Sequence, residues 1–164
     1  MTPPDTILIR PAIPADTAIL LGFVRELAEY EKLAHEAVAT EEMLARHLFG
    51  ARPYAEALIA EADGAAAGFA LFFHTFSTFV GKPGLYLEDI YVRPDHRRRG
   101  IGLALLRELA KIALARDCGR MEWAVLDWNA PAIAFYERKL GARAMSDWTV
   151  ERLDRAGIEA LASS

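Results

Sequence analysis

The segment RRRGIG at 97–102 separates two apolar runs with different periodicity. Before it, GLYLEDIYV at 84–92 has the composition of a strand and is followed by Pro94. After it, apolar residues recur at helical spacing from about residue 100 to 116, and Gly119 ends the pattern. A strand, a glycine-containing turn and a helix in direct succession require a fold in which a helix packs beside a sheet.

Periodicity and turn residues extend this prediction along the chain. They predict strands at 6–10, 120–127 and 146–154, a hairpin that turns at Asp63-Gly64, and helices capped by Asp16, Thr40, Asn129 and Asp154. The order β-α-α-β-β-β-α-β-α-β-α predicts an α/β (α+β mixed) fold with helices on both faces of one sheet. With 164 residues, a single domain over 1–164 is expected.

Composition limits the environment and the partners. A net charge of -4 argues against nucleic-acid binding and suits a cationic small molecule. No apolar run approaches the ~18 residues of a membrane span, and MTPPDTILIRPA at the N-terminus lacks the pattern of a secretory signal. The single cysteine, Cys118, excludes an intramolecular disulfide, and the histidines show no metal-ligand spacing. No metal, no membrane and a cytoplasmic location are therefore expected.

The residues of the turn itself suit a phosphorylated ligand. Glycine lets the backbone approach a ligand and adopt φ > 0, and the first amide groups of a helix attract anions. The three arginines at 97–99 can add charge-assisted hydrogen bonds. Neither a P-loop nor a G-x-G-x-x-G fingerprint is present. The turn therefore predicts a pyrophosphate site, with a solvated run of charges as the alternative.

The motif R-x-x-G-x-G at 97–102 resembles the pyrophosphate loop of the GNAT superfamily of acetyl-CoA-dependent N-acetyltransferases. WNAPAIAFYERKLGA at 128–142 is similar to that superfamily's late motif. RELAEYEK at 25–32, GLYLEDIYV at 84–92 and VLDWNAPAIAFYER at 125–138 resemble the diamine (spermidine/spermine) and thialysine acetyltransferase branch. The resemblance implies a mostly antiparallel mixed sheet splayed between strands 4 and 5, acetyl-CoA in the opening, and a homodimer.

The resemblance also implies which residues bind acetyl-CoA. The strand would contribute Ile90, Tyr91 and Val92, with backbone groups of Ile90 and Val92 against the pantetheine amides. Asn129 and Ala132 would line the pantetheine arm, and Tyr136 would lie beside it. The pyrophosphate would be held by the loop residues Arg97, Arg98, Arg99, Gly100, Ile101, Gly102 and Leu103.

Amine acetylation needs a base for the amine and an acid for the departing thiolate. Tyr136 lies seven residues beyond Asn129, about two turns along the same predicted helix. A phenol with a pKa of about 10 can protonate a thiolate, and the resemblance implies this role for Tyr136. The alternative is a tyrosine at the edge of the core.

Glu88 and Asp89 lie within an apolar strand and are expected on opposite faces. The resemblance favours Glu88 as the base, acting through water, and Asp89 as substrate or structural support. The alternatives are a salt bridge, a dimer contact, or a bulge that lets one carboxylate reach solvent. Tyr30 and Glu31, near the end of the first long helix, suit binding of a cationic substrate. Their alternative is a core tyrosine beside a solvated glutamate.

The resemblance thus implies transfer of an acetyl group from acetyl-CoA to a primary amine of a diamine, a polyamine or a thialysine-like amino acid, by direct attack in a ternary complex. Thr78 stands where the polyamine enzymes of the branch carry an acidic residue, and Lys82 is nearby. This departure favours a shorter substrate. Acetylation of protein lysines or N-termini, and a non-catalytic acyl-CoA-binding module, are the alternative functions.

Overall fold

The computed structural model describes residues 6–164, which form an N-terminal unit ending at Ala124 and a C-terminal unit, Val125–Ser164. The first five residues, where the N-terminal segment considered for a signal begins, lie outside the described part. Within residues 6–164, no helix combines the length and the hydropathy that a bilayer crossing requires. A single domain over 1–164 stays a prediction.

The N-terminal unit contains a five-stranded sheet in the order β1-β2-β3-β4-β5. Neighbours from β1 to β4 are antiparallel, whereas β5 runs parallel to β4. This confirms the mixed, mostly antiparallel sheet. The strands are β1 Ile7–Pro11, β2 Glu56–Ala62, β3 Ala65–Ser77, β4 Lys82–Val92 and β5 Arg120–Trp123.

Three helices belong to the same unit: α1 Thr17–Tyr30, α2 Glu41–Phe49 and α3 Ile101–Ala115. Thr40 caps α2 as predicted, because its side chain accepts a 3.2 Å hydrogen bond from the N–H of Met43. Asp16 precedes α1 but gives it no side-chain cap. Its carboxylate instead accepts from the N–H of Ile13 and pairs with Arg10 at 2.7 Å, because the charged partner outcompetes the helix amides.

The two faces of the sheet carry different helices, as predicted. Ile59, Phe69 and Tyr91 are cross-strand neighbours, and they share one buried cluster with Phe23 of α1. The rings of Phe23 and Phe69 stack with centroids 5.5 Å apart. Val92 points to the opposite face, where its side chain lies 4.0 Å from the position of a Cβ on Gly102 of α3.

The sheet opens between β4 and β5. The two strands pair only over residues 84–87 and 120–123, so β4 continues beyond its partner over 88–92. The carbonyl oxygen of Tyr91 faces β3, because a Cβ on Gly68 would lie 2.4 Å from it. Backbone groups alternate along a strand, so those of Ile90 and Val92 point to the unpaired side. The predicted splay between strands 4 and 5 is confirmed.

The C-terminal unit contains α4, Ala130–Ala134, a π-helical turn, Phe135–Lys139, and α5, Arg155–Ala162. The predicted caps are present: Asn129 accepts from the N–H of Ala132 at 3.3 Å, and Asp154 from that of Gly157 at 2.8 Å. The strand predicted at 146–154 is wrong, since those residues form no strand. An alternating sequence becomes a strand only where a neighbouring strand supplies hydrogen-bond partners, which local sequence does not specify.

Candidate active site

The loop between β4 and α3 has a backbone that exposes amide groups. Arg98 has φ 63° and Gly100 has φ 81°, both in the left-handed region. The N–H of Ala104 is the first to bond back into the helix, to the carbonyl of Gly100 at 2.9 Å. The three preceding amide groups, of residues 101–103, have no acceptor within α3. The loop therefore directs backbone donors and the positive end of a helix dipole to one place.

Space for a ligand exists at the turn itself. A Cβ built on Gly100 would meet no atom within 4 Å, so Gly100 is required by its φ rather than by crowding. Gly102 is next to the side chain of Val92, at the end of the unpaired part of β4. The amide donors of the loop and the backbone groups of the open strand edge are thus adjacent.

The three arginines of the loop have different surroundings. The Nε of Arg97 donates a 2.9 Å hydrogen bond to the carbonyl of Val92, and its guanidinium lies 4.9 Å from the ring centroid of Tyr30 and 5.6 Å from that of Tyr91. Arg98 is exposed. Arg99 donates to the carboxylate of Asp63 at 2.7 Å. Arg97 thus fastens the loop to β4 and to the end of α1.

Glu88 is the extra residue of a β-bulge. Leu71 of β3 pairs with Asp89, but the next residue, Phe72, pairs with Leu87. A bulge interrupts the alternation of faces, so alternation alone does not set the orientation of this pair, and opposite faces for Glu88 and Asp89 stay a prediction. Glu88 is exposed and Asp89 is partly buried. The bulge is one of the alternatives that the sequence left open.

Asp89 feels the charges of Glu88 and Glu31, and we call these three carboxyl groups the acidic cluster. Burial, followed by the charges of Glu88 and Glu31, raises the pKa of Asp89 to about 6. Burial also raises the pKa of Glu31. A bound cation stabilises the charged form of carboxyl groups, and this stabilisation is largest where the groups are partly desolvated and close to one another.

A second set of contacts holds α1 against the end of β4, and it involves residues that the sequence reasoning missed. Arg93 donates to the carboxylate of Glu26 at 2.8 Å and to the carbonyl of Ala66 at 3.1 Å. Its guanidinium also lies 4.7 Å from the ring centroid of Phe23. Burial, then the charge of Glu26, raises the pKa of Tyr91. Glu26 lies one helical turn before Tyr30, within the segment RELAEYEK at 25–32, and these two sequence signals connect it to the site.

The remaining predicted residues lie in the C-terminal unit. Asn129 uses its side-chain oxygen to cap α4, and Ala132 supplies the amide that it caps. Tyr136 lies in the π-helical turn, and its ring makes an edge contact with Phe135 at a centroid distance of 5.6 Å. The prediction placed Tyr136 on a regular helix. A π-turn rotates each following side chain relative to that expectation, and such turns are frequent at functional sites.

Residues that the sequence set aside occupy structural positions. Lys82 pairs with Asp117 at 2.7 Å. Thr78 lies in the turn between β3 and β4. The N–H of Cys118 donates to the carbonyl of Ala113, just beyond the C-terminal end of α3. Among residues 6–164, no group of three or more His, Cys, Asp or Glu side chains is arranged to hold a metal ion.

Comparison with known proteins identifies similar chains. The model of the acetyltransferase (GNAT) family matches residues 24–142. A thialysine N-epsilon-acetyltransferase from Sus scrofa is 38% identical over 168 residues, covering 96% of this chain and 98% of the relative. The L-ornithine N5-acetyltransferase NATA1 of Arabidopsis thaliana is 32% identical, covering 93% and 86%. An integron cassette protein from the mobile metagenome of V. cholerae superimposes with a TM-score of 0.80 at 27% identity, covering 96% and 98%.

Proposed function

Because the chain belongs to the GNAT family of acetyltransferases, we propose that it transfers an acetyl group from acetyl-CoA to a primary amine of a small cationic molecule. The observation that carries this proposal is the placement of an anion-binding loop and an acidic cluster at the same strand, β4. The loop suits the phosphates of a cosubstrate, and the acidic cluster suits an ammonium group.

The residues of the loop fit coenzyme A. Backbone amides at the start of a helix, a glycine with φ 81° and open space above it are the features that a pyrophosphate requires. The backbone groups of Ile90 and the N–H of Val92, on the side of β4 that has no partner strand, suit the amides of a pantetheine arm. The carbonyl of Val92 already accepts a hydrogen bond from Arg97. When bound, acetyl-CoA supplies a thioester whose acyl group an amine can take up.

Acceptor binding is assigned to Tyr30, Glu31 and Asp89. The carboxylates of the cluster attract an ammonium ion, and the partly exposed ring of Tyr30 offers an apolar wall. Two of the relatives are named for thialysine and L-ornithine, both amino acids with a second amine. A short substrate of this kind fits a chain that has Thr78 and an engaged Lys82 at the β3–β4 turn.

Proton transfer is assigned to Glu88 and Tyr136. An alkyl ammonium, with a pKa near ~10, must lose a proton before it can attack. The exposed carboxylate of Glu88 at the bulge can receive that proton through water. The phenol of Tyr136 would hold the proton that a departing thiolate takes up.

Direct transfer between the two substrates is favoured over a cysteine intermediate. Cys118 follows the C-terminal end of α3, whereas the loop precedes its N-terminal end. The 15 residues of α3 separate these ends by roughly 22 Å. The single thiol of the chain therefore lies at the opposite end of α3 from the loop.

A colorimetric assay of thiol release tests the proposal. Purified protein is incubated with acetyl-CoA and a panel of amines: thialysine, ornithine, a diamine, spermidine, a lysine peptide and a peptide with a free N-terminus. We expect faster release with the free amino acids or the diamine than with the peptides. Faster release with a peptide would favour a protein acetyltransferase. Binding of CoA without release would indicate a non-catalytic module.

The homodimer and a cytoplasmic location belong to the same proposal. They rest on the resemblance to the diamine and thialysine acetyltransferase branch. Light scattering of the purified chain would test the assembly, and a monomer that is fully active would remove the dimer from the proposal.

A further inference from the structure

A carboxylate from a neighbouring hairpin engages one arginine of the loop. The Nη2 of Arg99 donates to Oδ2 of Asp63 at 2.7 Å, and its Nη1 lies 3.2 Å from Nδ1 of His96. A guanidinium can only donate, so Nδ1 of His96 is the acceptor in this contact. The guanidinium of Arg99, which the resemblance places at the pyrophosphate of CoA, therefore has an internal anion as its partner.

The sheet, and not the loop, fixes the position of Asp63. This residue is at the turn of the β2–β3 hairpin, with φ 55°, and is followed by Gly64 at φ 81°. Ala62 pairs with Ala65 across the turn, and the N–H of Asp63 donates to the carbonyl of Thr6 at 3.2 Å. Asp63 therefore presents its carboxylate to Arg99 from an independently anchored hairpin.

The amide donors of the loop do not depend on this contact. They are oriented by the positive φ angles of Arg98 and Gly100 and by the start of α3. Loss of the Asp63 carboxylate would leave those donors in place. What Asp63 adds to the site is a carboxylate that already pairs with the guanidinium of Arg99, so a phosphate must displace it before it can bind that guanidinium.

The ion pair is also open to exchange. The side chain of Asp63 is 55% exposed and that of Arg99 is 22% exposed. The hydrogen bond from Arg99 holds the pKa of Asp63 below its usual range, so the group is a carboxylate at neutral pH. Exposed pairs of single charges are weak, and a diphosphate carries more charge than one carboxylate.

We propose that Asp63 is an affinity-determining residue for coenzyme A: its carboxylate holds Arg99 in the free protein and competes with a phosphate of CoA for that guanidinium. This inference rests on the proposed function, since it requires the loop to bind CoA.

Calorimetric titration with CoA tests the inference, using Asp63→Asn and a matched control. Asparagine tolerates positive φ and removes only the charge. Asp117 provides the control because it also has φ 55° and makes an exposed 2.7 Å ion pair, with Lys82, beyond the opposite end of α3. We expect Asp63→Asn to bind CoA about 2–5-fold more tightly, and Asp117→Asn to differ from the wild type by less than about 1.5-fold.

A double-mutant cycle with Arg99→Gln isolates the guanidinium. Arg99→Gln is expected to weaken CoA binding, and Asp63→Asn is expected to have no effect in that background. Equal affinities for Asp63→Asn and Asp117→Asn would overturn the inference. So would weaker binding by Asp63→Asn, or a gain that persists without Arg99. If the wild type binds no CoA, the proposed function and this inference both fail. If the wild type binds CoA but Asp63→Asn does not bind it more tightly, only this inference fails.

Discussion

Asp89 on β4 lies within electrostatic reach of Glu31, which follows the end of α1. The pKa of Asp89 is raised to about 6, mainly by burial of its carboxyl group and further by the negative charges of Glu88 and Glu31. In the folded protein, this carboxyl group therefore retains its proton at pH values where an unfolded chain has lost it.

Replacement of Asp89 by asparagine should stabilise the protein in a pH-dependent way. The folded pKa is above the unfolded one, so the wild type loses stability as the pH rises through the interval from about 4 to above 6. Asp89→Asn has no such loss. We expect the free energy of unfolding of Asp89→Asn to exceed that of the wild type by about 1–2 kcal/mol near pH ~7.5 and to equal it near pH ~4. Urea unfolding at both pH values measures the difference. Asp95→Asn, at an exposed position, serves as the control. An equal gain in the free energy of unfolding at both pH values would contradict the explanation by a buried charge at Asp89.

Replacement of Glu88 by glutamine should move the pH profile of acetylation upward. Without the carboxylate at the bulge, the amine must lose its proton to solvent, which becomes easier only at higher pH. We expect kcat/KM near pH ~7 to fall by about 10²-fold and the optimum to rise. Initial rates measured across the pH range give the profile. A profile with the wild-type shape would assign the base to another group.

The sequence predicted the elements whose partners are close along the chain. The hairpin at Asp63-Gly64 and the caps Thr40, Asn129 and Asp154 depend on residues within a few positions, and all four are present. Even the fold class followed from the order of elements, because short connections restrict the possible sheets.

Features that depend on distant residues could not be derived in this way. The bulge at Glu88 arises from register with β3, and the strand expected at 146–154 lacks a paired neighbour. The contact of Asp63 with Arg99 joins residues 36 positions apart. Two exposed charges in a sequence carry no signal for such a pairing, so an internal anion beside the loop became visible only in the folded chain.

Replacement of Tyr136 by phenylalanine should reduce turnover more than binding. The ring contact with Phe135 is retained, and only the hydroxyl group is lost. We expect kcat to fall by about 10²–10³-fold, with the calorimetric affinity for CoA changed by less than about 2-fold. Tyr54→Phe, an exposed tyrosine of the N-terminal unit, controls for loss of a phenol. Turnover by Tyr136→Phe at the wild-type rate would remove this residue from the acid role.

Substitution of Gly100 by alanine should weaken both folding and CoA binding, whereas the same change at Gly22 should stabilise the chain. At Gly100 the cost comes from φ 81°, because no atom lies within 4 Å of the new Cβ. A left-handed conformation costs an L-residue about 1–2 kcal/mol. Gly22 is inside α1 with equally open surroundings, where alanine should add about 0.5–1 kcal/mol to the free energy of unfolding.

Gly100→Asn separates the two effects of the loop glycine. Asparagine adopts positive φ more readily than alanine, so Gly100→Asn should recover part of the lost stability. If φ alone matters, its affinity for CoA should recover in the same proportion, as measured by calorimetry. An affinity that stays low while stability recovers would mean that any side chain at position 100 blocks the approach of the phosphates. That result would place the ligand directly above Gly100, in the space that its missing Cβ leaves open.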